Sequence, residues 1–138
     1  MVVERIHNRC WNKNLSIGVA LIDKQHEILC NIYDHLKEIS QYKGQQADLE
    51  MHATLNHLES FLASYSLELK EQLNHLNDDE YNNYQLDYEL FVRKTEEFIL
   101  FYKSRNPELI FHILDFLKKW LVHSIGRSQS IFSRKESF

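Results

Sequence analysis

The chain has 138 residues, of which 43% are hydrophobic, 12% aromatic and 26% charged; the length suits one domain, and the composition excludes disorder and fibrous repeats. Three glycines and one proline are too few turn formers for an all-β domain, and no apolar run reaches the ~20 residues of a membrane span. A formal net charge of −4, with an isoelectric point near 6.0, lacks the basic surplus by which nucleic-acid binders release counterions, so neither nucleic acid nor membrane is an expected partner.

Residues 1–21 are aromatic and irregular, and read as an N-terminal arm anchored by Trp11. Cys10 and Cys30 form neither a CxxC pair nor a framework. They are expected as free thiols in a reducing compartment, with Cys30 packing as a small hydrophobe. Behind Met1 there is no apolar signal-peptide core, which adds to the expectation of a cytoplasmic location.

Four helices follow. In the first, from about 23 to 41, Ile22, His26, Leu29, Tyr33 and Leu36 step by four, three, four and three, one stripe of a helix. The stripe points His26 inward, and Asp23 is expected to cap the start. The second, about 48 to 76, carries Leu55, Leu58, Leu62, Tyr65, Leu69, Leu73 and Leu76 at the same spacing. Asn77-Asp78-Asp79 then offers capping side chains to a third, about 79 to 104, with Tyr81, Tyr84, Tyr88, Phe91, Thr95, Phe98 and Tyr102 on its inward face. Pro107 opens a fourth, which buries Ile110, Ile113, Leu114, Leu117, Trp120, Leu121, Ser124 and Ile125 and is expected to stop near Gly126. Amphipathic helices with short connections pack most simply as an all-α, up-down-up-down antiparallel four-helix bundle. The expected layout is an arm at 1–21, the bundle at 22–126 and a basic tail at 127–138.

The segment Trp11-Asn-Lys-Asn-Leu-Ser-Ile-Gly-Val-Ala-Leu-Ile-Asp-Lys-Gln-His26 resembles the opening of bacteriohemerythrins: a Trp, a Gly-Val, then Ile-Asp-x-Gln-His leading into the first helix. Leu117-Lys-Lys-Trp120-Leu121-Val122 is similar to that family's last-helix run, and the segments between agree in length and order. The resemblance implies four helices around a di-iron, oxygen-binding centre held by five histidines and two bridging carboxylates. Imidazoles suit iron, and carboxylates bridge the metals and offset their charge.

Carried over residue by residue, that ligand set survives only at His26. The second-helix histidine and glutamate fall on Tyr65 and Leu69, the third-helix histidine pair on Tyr84 and Tyr88, the fourth-helix histidine on Ser124, and the last bridging aspartate on Gln129. His123 sits one residue early. One imidazole with no bridging carboxylate does not offset the charge of a buried dimetal centre, so no cofactor is expected. His26, Tyr65, Leu69, Tyr84, Tyr88, Ser124 and Gln129 then line a vestigial pocket plugged by tyrosine rings. The function implied is a degenerate hemerythrin-like scaffold, metal-free, acting by self-association or by docking on another protein.

Two alternatives stand beside this one. Iron held by His26 with tyrosine phenolates is one, and a small ligand sensed in the vestigial pocket is the other. The sequence offers no nucleophile–base pair, phosphate loop or carboxylate dyad, so enzymatic activity is not expected. The other histidines (His7, His35, His52, His57, His75, His112) fall off the inward stripes.

Overall fold

The computed structural model describes residues 10–41, 45–72, 76–103 and 108–136, and among them the side chains of all but 13, 45–47, 67–72 and 132–136. The described residues include no strand. A 3-10 turn at Lys13–Leu15 precedes four helices: α1 (Ala20–Ile39), α2 (Gln45–Gln72), α3 (Asp78–Lys103) and α4 (Leu109–Glu136). They divide between two compact units. Met1–Gly44 with Ile110–Phe138 carries α1 and nearly all of α4, and Gln45–Leu109 carries α2 and α3.

In the first unit the arm is tied to α1 at three points. Asp23, expected to cap the start of the helix, does not. Val19 is the N-cap, with no side-chain bond, and Asp23 lies in the first turn with its carboxylate turned back to the arm. It accepts from the Ser16 hydroxyl at 2.6 Å and from the Ile17 N–H at 2.9 Å, while its charge suits the positive end of the helix dipole. Gly18 between them has φ 82, a left-handed turn that a side chain would strain. Further back, the Cys10 N–H is shared by the two carboxylate oxygens of Asp34, at 3.2 and 3.1 Å.

Cys10 and Cys30 are joined as a disulfide with Cα atoms 5.2 Å apart, so the expectation of free thiols is overturned. The arm doubles back along α1, which brings together two cysteines whose separation of 20 residues has no motif to announce it. Disulfides persist in oxidising compartments, so the cysteines no longer argue for a reducing one. No described helix is long and apolar enough to cross a membrane.

The apolar stripe of α1 is Ile22, Leu29, Ile32, Leu36 and Ile39, with Cys30 beside it. Tyr33, expected on that stripe, is half-buried at its edge, with the Lys37 ammonium 5.6 Å from its ring centre, a cation–π pair. On α4 the buried series is Ile110, Ile113, Leu117, Trp120, Leu121, Ser124 and Ile125, and it does not end there: Ser128 and Ile131 continue it. Gly126 therefore does not stop the helix, and the expected tail is helical through Glu136. One glycine costs a helix about 1 kcal/mol, less than the burial of the side chains beyond it returns.

In the second unit, contacts that advance along α2 recede along α3. The Tyr102 hydroxyl donates to the Asp48 carbonyl at 3.2 Å, His52 meets Tyr102 at 5.8 Å between ring centres, Phe61 meets Phe91 at 6.1 Å, and Tyr65 meets Tyr88 at 5.8 Å. Phe91 is among the largest fully buried side chains. The start of α3 is a reciprocal cap: the Glu80 N–H donates to Asn77 Oδ1 at 2.8 Å, and the Asn77 N–H donates to Glu80 Oε1 at 3.2 Å.

A Cβ at Gly126 meets nothing within 4 Å. Gly126→Ala is expected to stabilise the chain by about 1 kcal/mol and raise its melting temperature by ~3 °C, checked by calorimetry; a lower melting temperature overturns the reading of this position as ordinary helix. Thiol titration of the denatured, unreduced chain is expected to find neither cysteine free, and reduction to lower stability by about 3 kcal/mol for a loop of this length.

Candidate functional site

The residues proposed for the site fall into two groups, one in each unit. In the first, α1 positions His26 and α4 positions Ser124, both almost fully buried. His26 Nε2 lies 3.0 Å from Ser124 Oγ, a hydrogen bond that links the two helices. With the ring neutral and its proton on Nε2, the imidazole donates and the hydroxyl accepts. Nδ1 has no hydrogen-bond partner.

Burial lowers the His26 pKa from 6.5 to about 4, because the imidazolium loses its hydration; the Asp23 carboxylate pulls the other way and is outweighed. At neutral pH the ring is therefore uncharged. A single neutral imidazole, buried and bonded to a hydroxyl, is a core hydrogen bond rather than a charged site.

Gln129 does not join this group. It is exposed, whereas Ser128, one residue earlier, is fully buried. At 3.6 residues per turn the position four after Ser124 returns to the same face, and the position five after it turns a further 100° or so away. The spacing Leu121, Ser124, Ser128, Ile131 carries this signal, but Gly126 conceals it when taken as a stop. Gln25, next to His26, is a second buried polar residue outside the inward stripe.

In the second unit Phe61, Tyr65, Tyr88 and Phe91 form an aromatic cluster. Tyr65 and Tyr84 are buried and Tyr88 is half-buried. Tyr65 stacks on Tyr88 with the planes 21° apart and on Phe61 with centres 5.4 Å apart, offset geometries that add to the burial of the rings themselves. Thr95 Oγ1 is buried beneath this layer without a hydrogen-bond partner. Leu69 lies on the described helix, but its side chain is outside the described residues.

A di-iron centre of the kind the resemblance implies needs several imidazoles and bridging carboxylates. Within the first unit the buried pair offers one ring nitrogen and one hydroxyl, and within the second the stacked rings of Tyr65 and Tyr88 offer phenols; neither set fits such a centre. Among the described residues no group of three or more His, Cys, Asp and Glu lies close enough to hold a metal. Every described histidine other than His26 is exposed: His35, His52, His57, His112 and His123. His123, one residue before Ser124, accepts from Arg127 at 2.7 Å on the exposed face of α4. His7 and His75 lie outside the described residues.

A groove of about 760 Å³ runs elsewhere in the first unit, beside Tyr33, Asp34, His35, Lys37, Phe111 and Leu114. It does not include His26 or Ser124. No protein-family model, curated protein or solved structure matches this chain.

The buried imidazole makes stability depend on pH. Between 6.5 and about 4 the unfolded chain takes up a proton that folded His26 refuses, so stability is complete above that window and falls as the pH drops through it, by on the order of 3 kcal/mol at the acid end. The double variant His26→Leu/Ser124→Ala, which removes both partners together, is expected to flatten this slope in urea unfolding measured from pH 7 to pH 4. An unchanged slope would assign the acid sensitivity to other groups.

Proposed function

We propose that this chain is a degenerate relative of the hemerythrin-like proteins. In this reading its two helix pairs complete an up-down-up-down antiparallel four-helix bundle that has lost di-iron oxygen binding and serves as a metal-free interaction module. The observation that carries the proposal is the hydrogen bond from His26 to Ser124. The one ligand type retained at its expected position spends its Nε2 on a hydroxyl contributed from the position where the resemblance places a second imidazole. The stacking of Tyr65 on Tyr88 and Phe61 supports the same reading: rings that fill a core leave no cavity whose emptiness would cost stability.

The module is proposed to have no catalytic role and to act neither on nucleic acid nor at a membrane. Its business is a protein surface, either its own second copy or another chain. Iron bound by His26 and tyrosine phenolates is disfavoured chemically. Such a site would have to deprotonate phenols that lie in an aromatic layer of stacked rings, where the metal alone would offset the phenolate charge.

Elemental analysis of protein prepared without chelator, together with a visible spectrum in air, tests the proposal. Iron far below one atom per chain, no charge-transfer absorption, and a melting temperature unmoved by added Fe2+ are expected. Iron near two per chain with oxo-bridge absorption would overturn it, and iron near one per chain with a phenolate band would replace it with the tyrosine site.

A further inference from the structure

The face of α3 opposite its buried aromatics is not uniformly polar. Leu86, Leu90 and Leu100 are exposed, Leu86 and Leu100 by more than 60%, and Phe101 adjoins them. With Arg93 and Glu97 they follow one line: Leu86, Leu90, Arg93, Glu97 and Leu100 step by four, three, four and three. That is the a/d repeat of a helix–helix seam, apolar toward its ends and charged at its middle. Tyr84, Phe91, Thr95 and Phe98 already face the interior, so α3 carries apolar residues on two faces, the outer one uncovered.

The order of charges selects the partner. In a parallel pair of α3 helices each seam position meets its own copy, so Arg93 would oppose Arg93 and Glu97 would oppose Glu97. In an antiparallel pair, a positions meet d positions. A two-fold axis at the level of Thr95 then sets Arg93 of each copy against Glu97 of the other, and Leu90 of each against Leu100 of the other. This is the self-complementary pattern that a two-fold interface requires. Glu97 already holds Lys94 at 3.3 Å through Oε2, which leaves Oε1 to the arginine. That intrachain pair is exposed and weak, so it does not compete strongly for the carboxylate.

We infer that this chain forms a two-fold dimer through the outer face of α3, packed antiparallel with its copy, with reciprocal Arg93–Glu97 pairs between Leu90–Leu100 contacts. The inference rests on the interaction-module reading and names its partner as a second copy.

Sedimentation equilibrium of the full chain, from about 5 to 500 μM, tests it. Wild-type protein is expected to pass from the 16.6 kDa chain mass to twice that mass. Arg93→Glu and Glu97→Arg each set like charges across the seam and are expected to weaken association at least ~10-fold. The double variant Arg93→Glu/Glu97→Arg, and an equimolar mixture of the two single variants, are expected to restore it. Leu90→Glu is expected to abolish it, with circular dichroism unchanged because the position is exposed. A wild-type chain that stays monomeric throughout overturns the dimer, as does a dimer indifferent to Arg93→Glu. The iron content decides the interaction-module reading separately: an iron-free monomer sinks the α3 pairing and leaves that reading to another partner.

Discussion

A neutral imidazole sealed between α1 and α4 sets the terms for much of the first unit. His26 stays in the interior only because burial keeps it uncharged and because Ser124 meets one of its nitrogens. An unpaired imidazolium there would cost several kcal/mol, more than a small domain can spare from a net stability of about 5–15 kcal/mol. Leu29, Leu121 and Ile125 are buried on the same two helices, and the His26–Ser124 hydrogen bond ties one helix to the other. Asp23 does not spoil the arrangement, because its carboxylate faces the arm and is satisfied by Ser16 and Ile17.

The second unit meets the same constraint differently. Where α1 and α4 share a buried polar pair, α2 and α3 meet through rings: Phe61, Tyr65, Tyr88 and Phe91 form a chain of aromatic neighbours. Tyrosine suits a partly buried layer because its ring supplies apolar area while its hydroxyl can reach a polar edge, as that of Tyr102 does at the Asp48 carbonyl. Thr95 is the exception, a buried hydroxyl with no acceptor, and it marks the place in this layer where packing rather than polar satisfaction decides the residue.

Periodicity made most of this legible. The inward faces of α2, α3 and α4 follow spacing alone because burial on a helix is a matter of phase, and His26 and Ser124 were placed inside by that argument without any appeal to metal. What spacing leaves dark is anything settled by a chain doubling back. Cys10 reaches Cys30, and Asp23 reaches Ile17, through an irregular arm whose path is set by the left-handed Gly18 and by tertiary contacts rather than by local pattern. Gly126 misled for a different reason. A glycine weakens a helix without ending it when the residues beyond still have a core to enter, and Ser128 and Ile131 do. Gln129 rests on the resemblance alone, which places an aspartate five residues after the fourth-helix ligand; helical phase puts Ser128, four after Ser124, on the buried face instead.

The outer face of α3 departs from a solvated helix, with Leu86, Leu90 and Leu100 exposed along it. Scattered surface leucines are ordinary, but a 4-3-4-3 line of them interrupted by one cation and one anion is not scattered. Opposite charges four residues apart on one helix can satisfy each other along the helix, yet the near partner of Glu97 is Lys94, not Arg93. The Arg93 guanidinium on the seam is thus offered outward beside exposed leucines, where a desolvated ion pair would be strengthened by its apolar flanks. A charge pattern that is complementary to itself only when reversed favours one orientation and opposes the other. Orientation of that kind is the specificity by which a helix face selects a second copy of itself over other apolar surfaces.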